Sequence, residues 1–192
     1  MAKTINTALR EEIIAQMIFD ETMEVENLED AMNSFETAYT DIKNIFKEEI
    51  TPWEAKIDGK IIFEDEMLLT IQMDSYIFTG GAHGHQAKRF LNFDKKRGTE
   101  LENWQLFQNR SDFQEFAEQQ FRKQEAIPAE ASINDTGLMF ERDHFYLPEN
   151  IGFTNKGIKL LYNPYEVASY AEGPIELTLP YKEVKPFLAI SL

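Results

Sequence analysis

The spacing of apolar residues changes at Pro52, and this change most restricts the fold that the chain can adopt. Before Pro52, apolar residues recur every three or four positions, which places them on one face of an α-helix. After it, apolar and polar residues alternate, which is typical of a half-buried β-strand. Because the helices come first and the strands follow, we predict an α+β fold. N-terminal helices should pack on an antiparallel sheet, with a further helix and short C-terminal strands.

Two N-terminal helices are predicted from the helical spacing. The first carries apolar residues at Ile5, Leu9, Ile13 and Met17. The second carries a longer apolar stripe at Val25, Leu28, Met32, Phe35, Tyr39, Ile42 and Phe46. Such a stripe either joins a coiled coil or packs on the chain's own sheet. The abrupt end at Thr51-Pro52 favours packing within the chain.

Several strands are predicted after Pro52. Asp58-Gly59 predicts a tight hairpin, and alternation through residues 69–77 predicts a long strand with one apolar face. A further strand at residues 86–93 precedes a polar turn. Later in the chain we predict a helix over 111–126 and three short strands, at 145–147, 158–162 and 175–179.

Composition excludes several classes of protein. The 192 residues include 34 acidic and 19 basic side chains, a net charge of −15. A chain of this charge without a basic stripe is not expected to bind nucleic acid. The absence of cysteine excludes disulfides and thiolate chemistry. No apolar run is long enough to cross a bilayer, so the sequence predicts no membrane span.

Three glycines and two histidines lie at the end of the best predicted strand, within residues 76–85. The two histidines could bind a metal, but they supply only two ligands. A phosphate site would need a following helix and a lysine that the segment lacks. We therefore favour a tight crossing between strands, in which a glycine has a positive φ or a neighbour where its Cβ would lie. The candidate ligand-binding residues here are Tyr76, Gly80, Gly81, His83 and His85.

A second cluster interleaves tyrosines with proline and glycine over residues 162–174. Tyrosine rings can form a rigid contact surface, and they can equally pack in a core. Ser169 lacks the GxSxG context of a nucleophilic serine, so we do not predict one. The candidate ligand-binding residues are Tyr162, Tyr165 and Tyr170.

These two clusters resemble the paired DUF4163 and DUF3298 domains of a bacterial family. The resemblance rests on Gly-Gly-Ala-His-Gly at residues 80–84 and on Tyr-Asn-Pro-Tyr-Glu at residues 162–166, which occur in the same order, and it covers nearly the whole chain. It implies DUF4163-like helices and sheet at 1–99 and a DUF3298-like region at 100–192. We expect the two regions to form one compact unit.

Members of the family are similar to the ectodomain of the lysozyme-sensing anti-sigma factor RsiV and to the non-catalytic part of a peptidoglycan deacetylase. The resemblance implies a binding module without catalytic residues or cofactors, whose partner is a protein such as a lysozyme or a cell-wall glycan. It also implies an extracytoplasmic place in the cell envelope, with a lipid anchor, and we expect a signal peptide upstream of Met1.

Two other functions stay open at this point. The chain could be a metal-dependent enzyme that acts on a cell-wall polymer, with His83, His85 or His144 in a metal or acid–base role. It could also be a purely structural envelope protein. The sequence shows no complete set of catalytic or metal-binding residues, so we favour the binding module.

Overall fold

The computed structural model describes residues 1–19, 24–46 and 51–190. The α+β prediction is confirmed, with helices first in the chain and short strands near its end. The helices in the described ranges are α1 (Ala2–Met17), α2 (Leu28–Ile45), α3 (Arg110–Gln124) and α4 (Tyr181–Val184). None of the helices in these ranges combines the length and apolar character that a bilayer crossing requires.

Seven strands in the described ranges form two sheets. The first sheet has the order β1-β2-β3-β4, with β1 at Glu54–Glu64, β2 at Leu68–Phe78, β3 at His85–Asp94 and β4 at Thr99–Leu101. The second has the order β5-β6-β7, with β5 at Asn150–Thr154, β6 at Gly157–Tyr162 and β7 at Ile175–Leu179. Both pairings of the second sheet are antiparallel.

The chain divides into two compact units. The first unit contains residues 1–58 and 74–86, and the second contains residues 59–73 and 87–192. The division at residue 99 follows from the family resemblance and stays a prediction.

In the first unit, an aromatic cluster forms between α2 and the residue that precedes β1. The rings of Phe35 and Tyr39 lie 5.5 and 5.8 Å from the ring of Trp53. Residues of the apolar stripe outside this middle part are more exposed: Met32 on α2 is 54% exposed, and Phe46, directly after α2, is 60% exposed. Packing within the chain therefore accounts for the middle of the stripe and not for its ends.

The hairpin predicted at Asp58-Gly59 is wrong, because both residues lie inside the continuous strand β1. The turn to β2 comes at Asp65, whose carboxylate accepts hydrogen bonds from the N–H groups of Met67 and Leu68, both at 2.7 Å. A later turn lets β1 pair along β2, which is equally long, and the sheet gains more backbone hydrogen bonds than a short hairpin would provide. Pairing along the sheet has overridden a local turn signal.

Strand β2 is buried on both faces over residues 68–73, although its alternation predicted one polar, exposed face. Thr70 is fully buried and donates a hydrogen bond of 2.8 Å to Asn92 on β3. Asn92 in turn donates through its side-chain amide to the backbone oxygen of Ile151, at 2.7 Å. These polar side chains can be buried because each finds a partner.

Helix α3 packs one face into the core of the second unit, through Phe113, Ala117 and Phe121. Strands β6 and β7 confirm two of the three predicted C-terminal strands. Residues 145–147 form no strand; Phe145 and Leu147 are buried core residues outside any sheet. The alternation over residues 145–147 reflects which side chains are buried. A two-residue period alone does not show whether such a segment also pairs with another strand.

Candidate functional site

The glycine-rich segment at residues 79–84 is the loop between β2 and β3, and we call it the glycine loop. Gly80 and Gly81 have φ values of +98° and +88°, in the left-handed region that favours glycine. A Cβ on Gly84 would lie only 2.4 Å from the ring of Tyr76. The expected backbone constraint is confirmed, and it brings Tyr76 onto this loop.

The three histidines occupy exposed positions. The ring nitrogen Nδ1 of His83 lies 3.2 Å from the backbone oxygen of Gly84, within its own loop. The corresponding nitrogen of His144 lies 2.5 Å from the backbone oxygen of Arg142. In the part of the chain that the structure describes, no three His, Cys, Asp or Glu side chains are grouped so that they could hold a metal ion.

In the second unit, Tyr162 is a core residue at the end of β6, only 1% exposed. Its hydroxyl donates a hydrogen bond of 2.5 Å to the backbone oxygen of Tyr146. Burial raises the pKa of the Tyr162 hydroxyl, so this group stays a donor at physiological pH. Tyr162 therefore anchors the start of the following loop in the core and is not exposed on the surface of that loop.

Asn163 fixes the start of that loop to strand β3. Its side-chain oxygen accepts from the backbone N–H of Lys88 at 2.8 Å, and its side-chain nitrogen donates to the backbone oxygen of Lys88 at 3.0 Å. The amide thus reproduces one step of a β-ladder. The same nitrogen lies 3.3 Å from the carboxylate of Glu166, whose pKa burial raises despite the hydrogen bonds from Asn163.

Tyr165 and Tyr170 form an aromatic pair on this loop. Their ring centroids are 5.5 Å apart, and Tyr165 is 58% exposed. Tyr165 has a φ of +74°, a conformation that is strained for a bulky side chain. We call residues 163–172 the tyrosine loop, because the pair dominates its surface.

A cleft of about 390 Å³ opens beside the tyrosine loop, and we call it the α3–β7 cleft. Its walls come from the end of α3, from residues 136–138, and from residues 168–176 at the end of the loop and the start of β7. Ser169 and Glu172 of the tyrosine loop are among the lining residues. The sequence did not predict this cleft, because it joins segments that are far apart in the chain.

Glu176 stands at one side of the cleft with two basic partners. Lys159 forms an ion pair with its carboxylate, and Lys88 lies 3.4 Å from it. Burial alone would raise the pKa of Glu176, but the hydrogen bond and charge of Lys159, together with Lys88, lower it. The charge of this carboxylate is therefore already compensated.

Two known family profiles together match most of the chain. The profile of the family described as "Protein of unknown function (DUF3298)" matches residues 105–182, and the profile described as "Deacetylase PdaC" matches residues 1–86. The C-terminal part of the chain is therefore similar to the DUF3298 family, and the N-terminal part is similar to the PdaC family. The DUF4163 assignment and the similarity to RsiV stay predictions.

A curated relative is similar to a large part of the chain. The chain is 22% identical over 139 residues to the peptidoglycan-N-acetylmuramic acid deacetylase PdaC of Bacillus subtilis (strain 168). The match covers 70% of this chain but only 29% of the deacetylase, so the chain corresponds to a minor part of that enzyme.

Crystal structures of DUF3298 proteins show the same fold. One, from Bacteroides fragilis, has a TM-score of 0.70 and 21% identity, and the match covers 92% of this chain and 75% of that one. Another, from Pseudomonas aeruginosa PAO1, has a TM-score of 0.70 and 20% identity, with coverage of 96% and 78%.

The candidate residues fall into two groups, one in each matched segment. Tyr76 and the glycine loop lie in the segment that matches PdaC, whereas the tyrosine loop lies in the DUF3298 segment. Sequence reasoning overlooked Trp104, which is 66% exposed in a short turn after β4. A tryptophan within the polar stretch Glu102 to Gln105 was the available signal.

Proposed function

We propose that this chain is a non-catalytic, extracytoplasmic module that binds cell-wall glycan through the tyrosine loop. The observation that carries the proposal is Tyr165, a large aromatic side chain that is both exposed and held at a positive φ. The similarity to a peptidoglycan deacetylase supports the cell wall as the place of action and a glycan as the ligand.

The left-handed backbone conformation of Tyr165 lowers the stability of the fold, and a binding role would explain why a tyrosine occupies this position. A side chain in the left-handed region costs roughly 1–2 kcal/mol relative to glycine, and glycine or asparagine would suit this turn better. The core does not need the ring, because more than half of Tyr165 is exposed. Strain of this kind is concentrated at binding and catalytic sites.

The chemistry of the pair suits a sugar. A tyrosine ring offers a flat apolar face and a polar hydroxyl, and a pyranose offers apolar C–H faces edged by hydroxyl groups. The pair is also preorganised, since the hydrogen bonds of Asn163 to Lys88 and of Tyr162 to Tyr146 fix the start of the loop. A fixed loop loses less conformational entropy on binding.

The glycine loop of the first unit is proposed as a separate candidate contact region, independently of the tyrosine loop. Gly80 and Gly81 have no side chain that would block the approach of a ligand, and His83 and His85 are exposed residues whose side chains can form hydrogen bonds. The absence of catalysis is proposed from the family resemblance. The lipid anchor belongs to the same proposal.

Co-sedimentation with purified peptidoglycan tests the proposed function. We expect the chain to sediment with peptidoglycan, and we expect Tyr165→Ala or Tyr170→Ala to reduce the bound fraction at least fivefold. Trp104→Ala is the matched control, because it removes another exposed aromatic side chain from the same unit and should leave binding unchanged. A loss with Trp104→Ala alone would place the site elsewhere, and no sedimentation at all would exclude the glycan.

A basic protein is the second candidate partner, and the net charge of −15 favours it. A cationic partner such as a lysozyme would be attracted at long range, and the attraction would weaken as salt rises. Calorimetric titration with lysozyme at low and at moderate ionic strength checks this candidate. Failure to bind at micromolar concentrations under both conditions removes lysozyme.

The metal-dependent enzyme is tested separately. The proposal expects no release of acetate from peptidoglycan by this chain. Release that is lost in His83→Ala would overturn the non-catalytic assignment.

A further inference from the structure

The α3–β7 cleft has the size and the lining of a site for a small polar ligand. Its volume of about 390 Å³ lies within the range of roughly 300–1,000 Å³ that is usual for ligand pockets. Thr136 and Ser169, which carry hydroxyl groups, line it together with Gln124, which carries an amide. Pro174 and Leu138 add apolar surface. This mixture of donors, acceptors and small apolar patches matches a sugar ring.

The charges in the cleft are unequally compensated. Glu176 is paired with two lysines, as described above. Glu125 accepts a hydrogen bond of 2.9 Å from the neutral amide of Gln124, which also donates to the backbone oxygen of Glu176 at 2.9 Å. Within the described residues, no basic side chain forms an ion pair with Glu125 or Glu172. Two negative charges therefore remain for a ligand.

The cleft also adjoins the proposed contact surface. Ser169 and Glu172 line the cleft, and Tyr170 lies between them in the sequence while its ring pairs with Tyr165. A glycan chain that stacks on the tyrosine pair could thus place a neighbouring sugar unit in the cleft. The concave shape, the polar lining and the adjoining aromatic pair all indicate a saccharide.

We propose that the α3–β7 cleft binds a sugar unit that carries a free amino group, such as the unit that de-N-acetylation of a cell-wall glycan produces. The ammonium group pairs with Glu125 and Glu172, and the sugar hydroxyls bond to Ser169, Thr136 and Gln124. An N-acetylated unit is neutral at the same position and forms no ion pair with either carboxylate. This inference rests on the proposed function and adds the chemical class of the ligand.

Calorimetric titration of the full chain with two defined oligosaccharides tests the inference. The probes are a β-1,4-linked tetramer of glucosamine and the matching tetramer of N-acetylglucosamine. We expect the glucosamine tetramer to bind at least tenfold more tightly. The double variant Glu125→Gln/Glu172→Gln should abolish this preference, and the single variant Glu172→Gln, an exposed change that should not affect folding, should reduce it severalfold.

Two controls separate the cleft from general attraction to an acidic protein. Glu115→Gln removes one negative charge from an exposed position on α3 outside the cleft and should leave the preference unchanged. Tetralysine should bind at least tenfold more weakly than the glucosamine tetramer. Equal effects of Glu115→Gln and Glu172→Gln, or tetralysine binding as tight as that of the sugar, would overturn the inference.

The inference and the proposed function can fail independently. If peptidoglycan sediments the chain through the tyrosines but the two tetramers bind equally, the proposed function stands and the inference is wrong. If the glucosamine tetramer binds through Glu125 and Glu172 but the chain does not sediment with peptidoglycan, the cleft is correctly assigned and the cell-wall function is wrong.

Discussion

Replacing Tyr165 by glycine and by alanine gives a direct measure of the backbone strain in the tyrosine loop. Both substitutions remove the same ring, so both lose the same contact with Tyr170. They differ only in the Cβ atom, which alanine keeps and glycine lacks. The difference in stability between the two variants therefore reports the cost of a Cβ at a φ of +74°.

The expected magnitude follows from two opposing effects. A Cβ in the left-handed region costs alanine roughly 1–2 kcal/mol. Glycine costs about 0.5–1 kcal/mol relative to alanine elsewhere, because its unfolded chain has more conformational freedom. The strain is the larger effect, so Tyr165→Gly should be more stable than Tyr165→Ala by about 0.5–1 kcal/mol. In a chain of this length this is a difference of about 2 °C in Tm.

Urea unfolding followed by circular dichroism, with a thermal scan of the same variants, measures this difference. The matched control is the same pair of substitutions at Tyr170, whose φ is not positive. There the usual order should hold, with alanine more stable than glycine. If alanine is also the more stable substitution at Tyr165, the loop is not strained, and the main argument for a functional Tyr165 is lost.

Three further predictions concern the two loops and the ion pairs. Gly84→Ala should lower the free energy of unfolding by about 1–3 kcal/mol, because the new Cβ would overlap the ring of Tyr76. Gly81→Val should lower it by a similar amount, because valine is strained at the positive φ of this position. Urea unfolding measures both changes. Asn163→Ala should cost about 1–3 kcal/mol in the same assay, because it leaves two backbone groups of Lys88 without their partner. The pKa of Glu176 is lower in the folded chain than in the unfolded one, so its stabilisation is present above about pH 4.5 and is lost as the pH falls through the folded value. As the pH is lowered from about 5 to 3, the stability of the Glu176→Gln variant should therefore fall less than that of the parent chain. Urea midpoints measured at each pH check this.

The local pattern of the sequence determined the kinds of element and their order. The helical spacing before Pro52 and the alternation after it predicted the helices and the first sheet, because the geometry of each element selects the side chains that share a face. The glycine loop was also predictable, since only glycine adopts a positive φ without strain. The family resemblance added the similarity to DUF3298, which the family profile matches over residues 105–182.

The pairing of strands and the exposure of side chains were decided by the tertiary structure. Asp58-Gly59 is a strong turn signal, yet it lies inside β1, because pairing along β2 outweighs the local preference. Thr70 looked like a surface residue and is buried, because a partner from β3 satisfies its hydroxyl.

The candidate site shows the same division most clearly at its tyrosines. Tyr162 and Tyr165 are the same residue type, three positions apart, and the sequence analysis named both as candidate ligand-binding residues although it predicted a strand ending at Tyr162. Their surroundings separate them, since core side chains enclose Tyr162 while a positive φ accompanies the exposure of Tyr165. The α3–β7 cleft could not be predicted from the sequence. It exists only where the end of α3, residues 136–138 and the start of β7 meet, and such proximity arises from packing between segments that are distant in the chain.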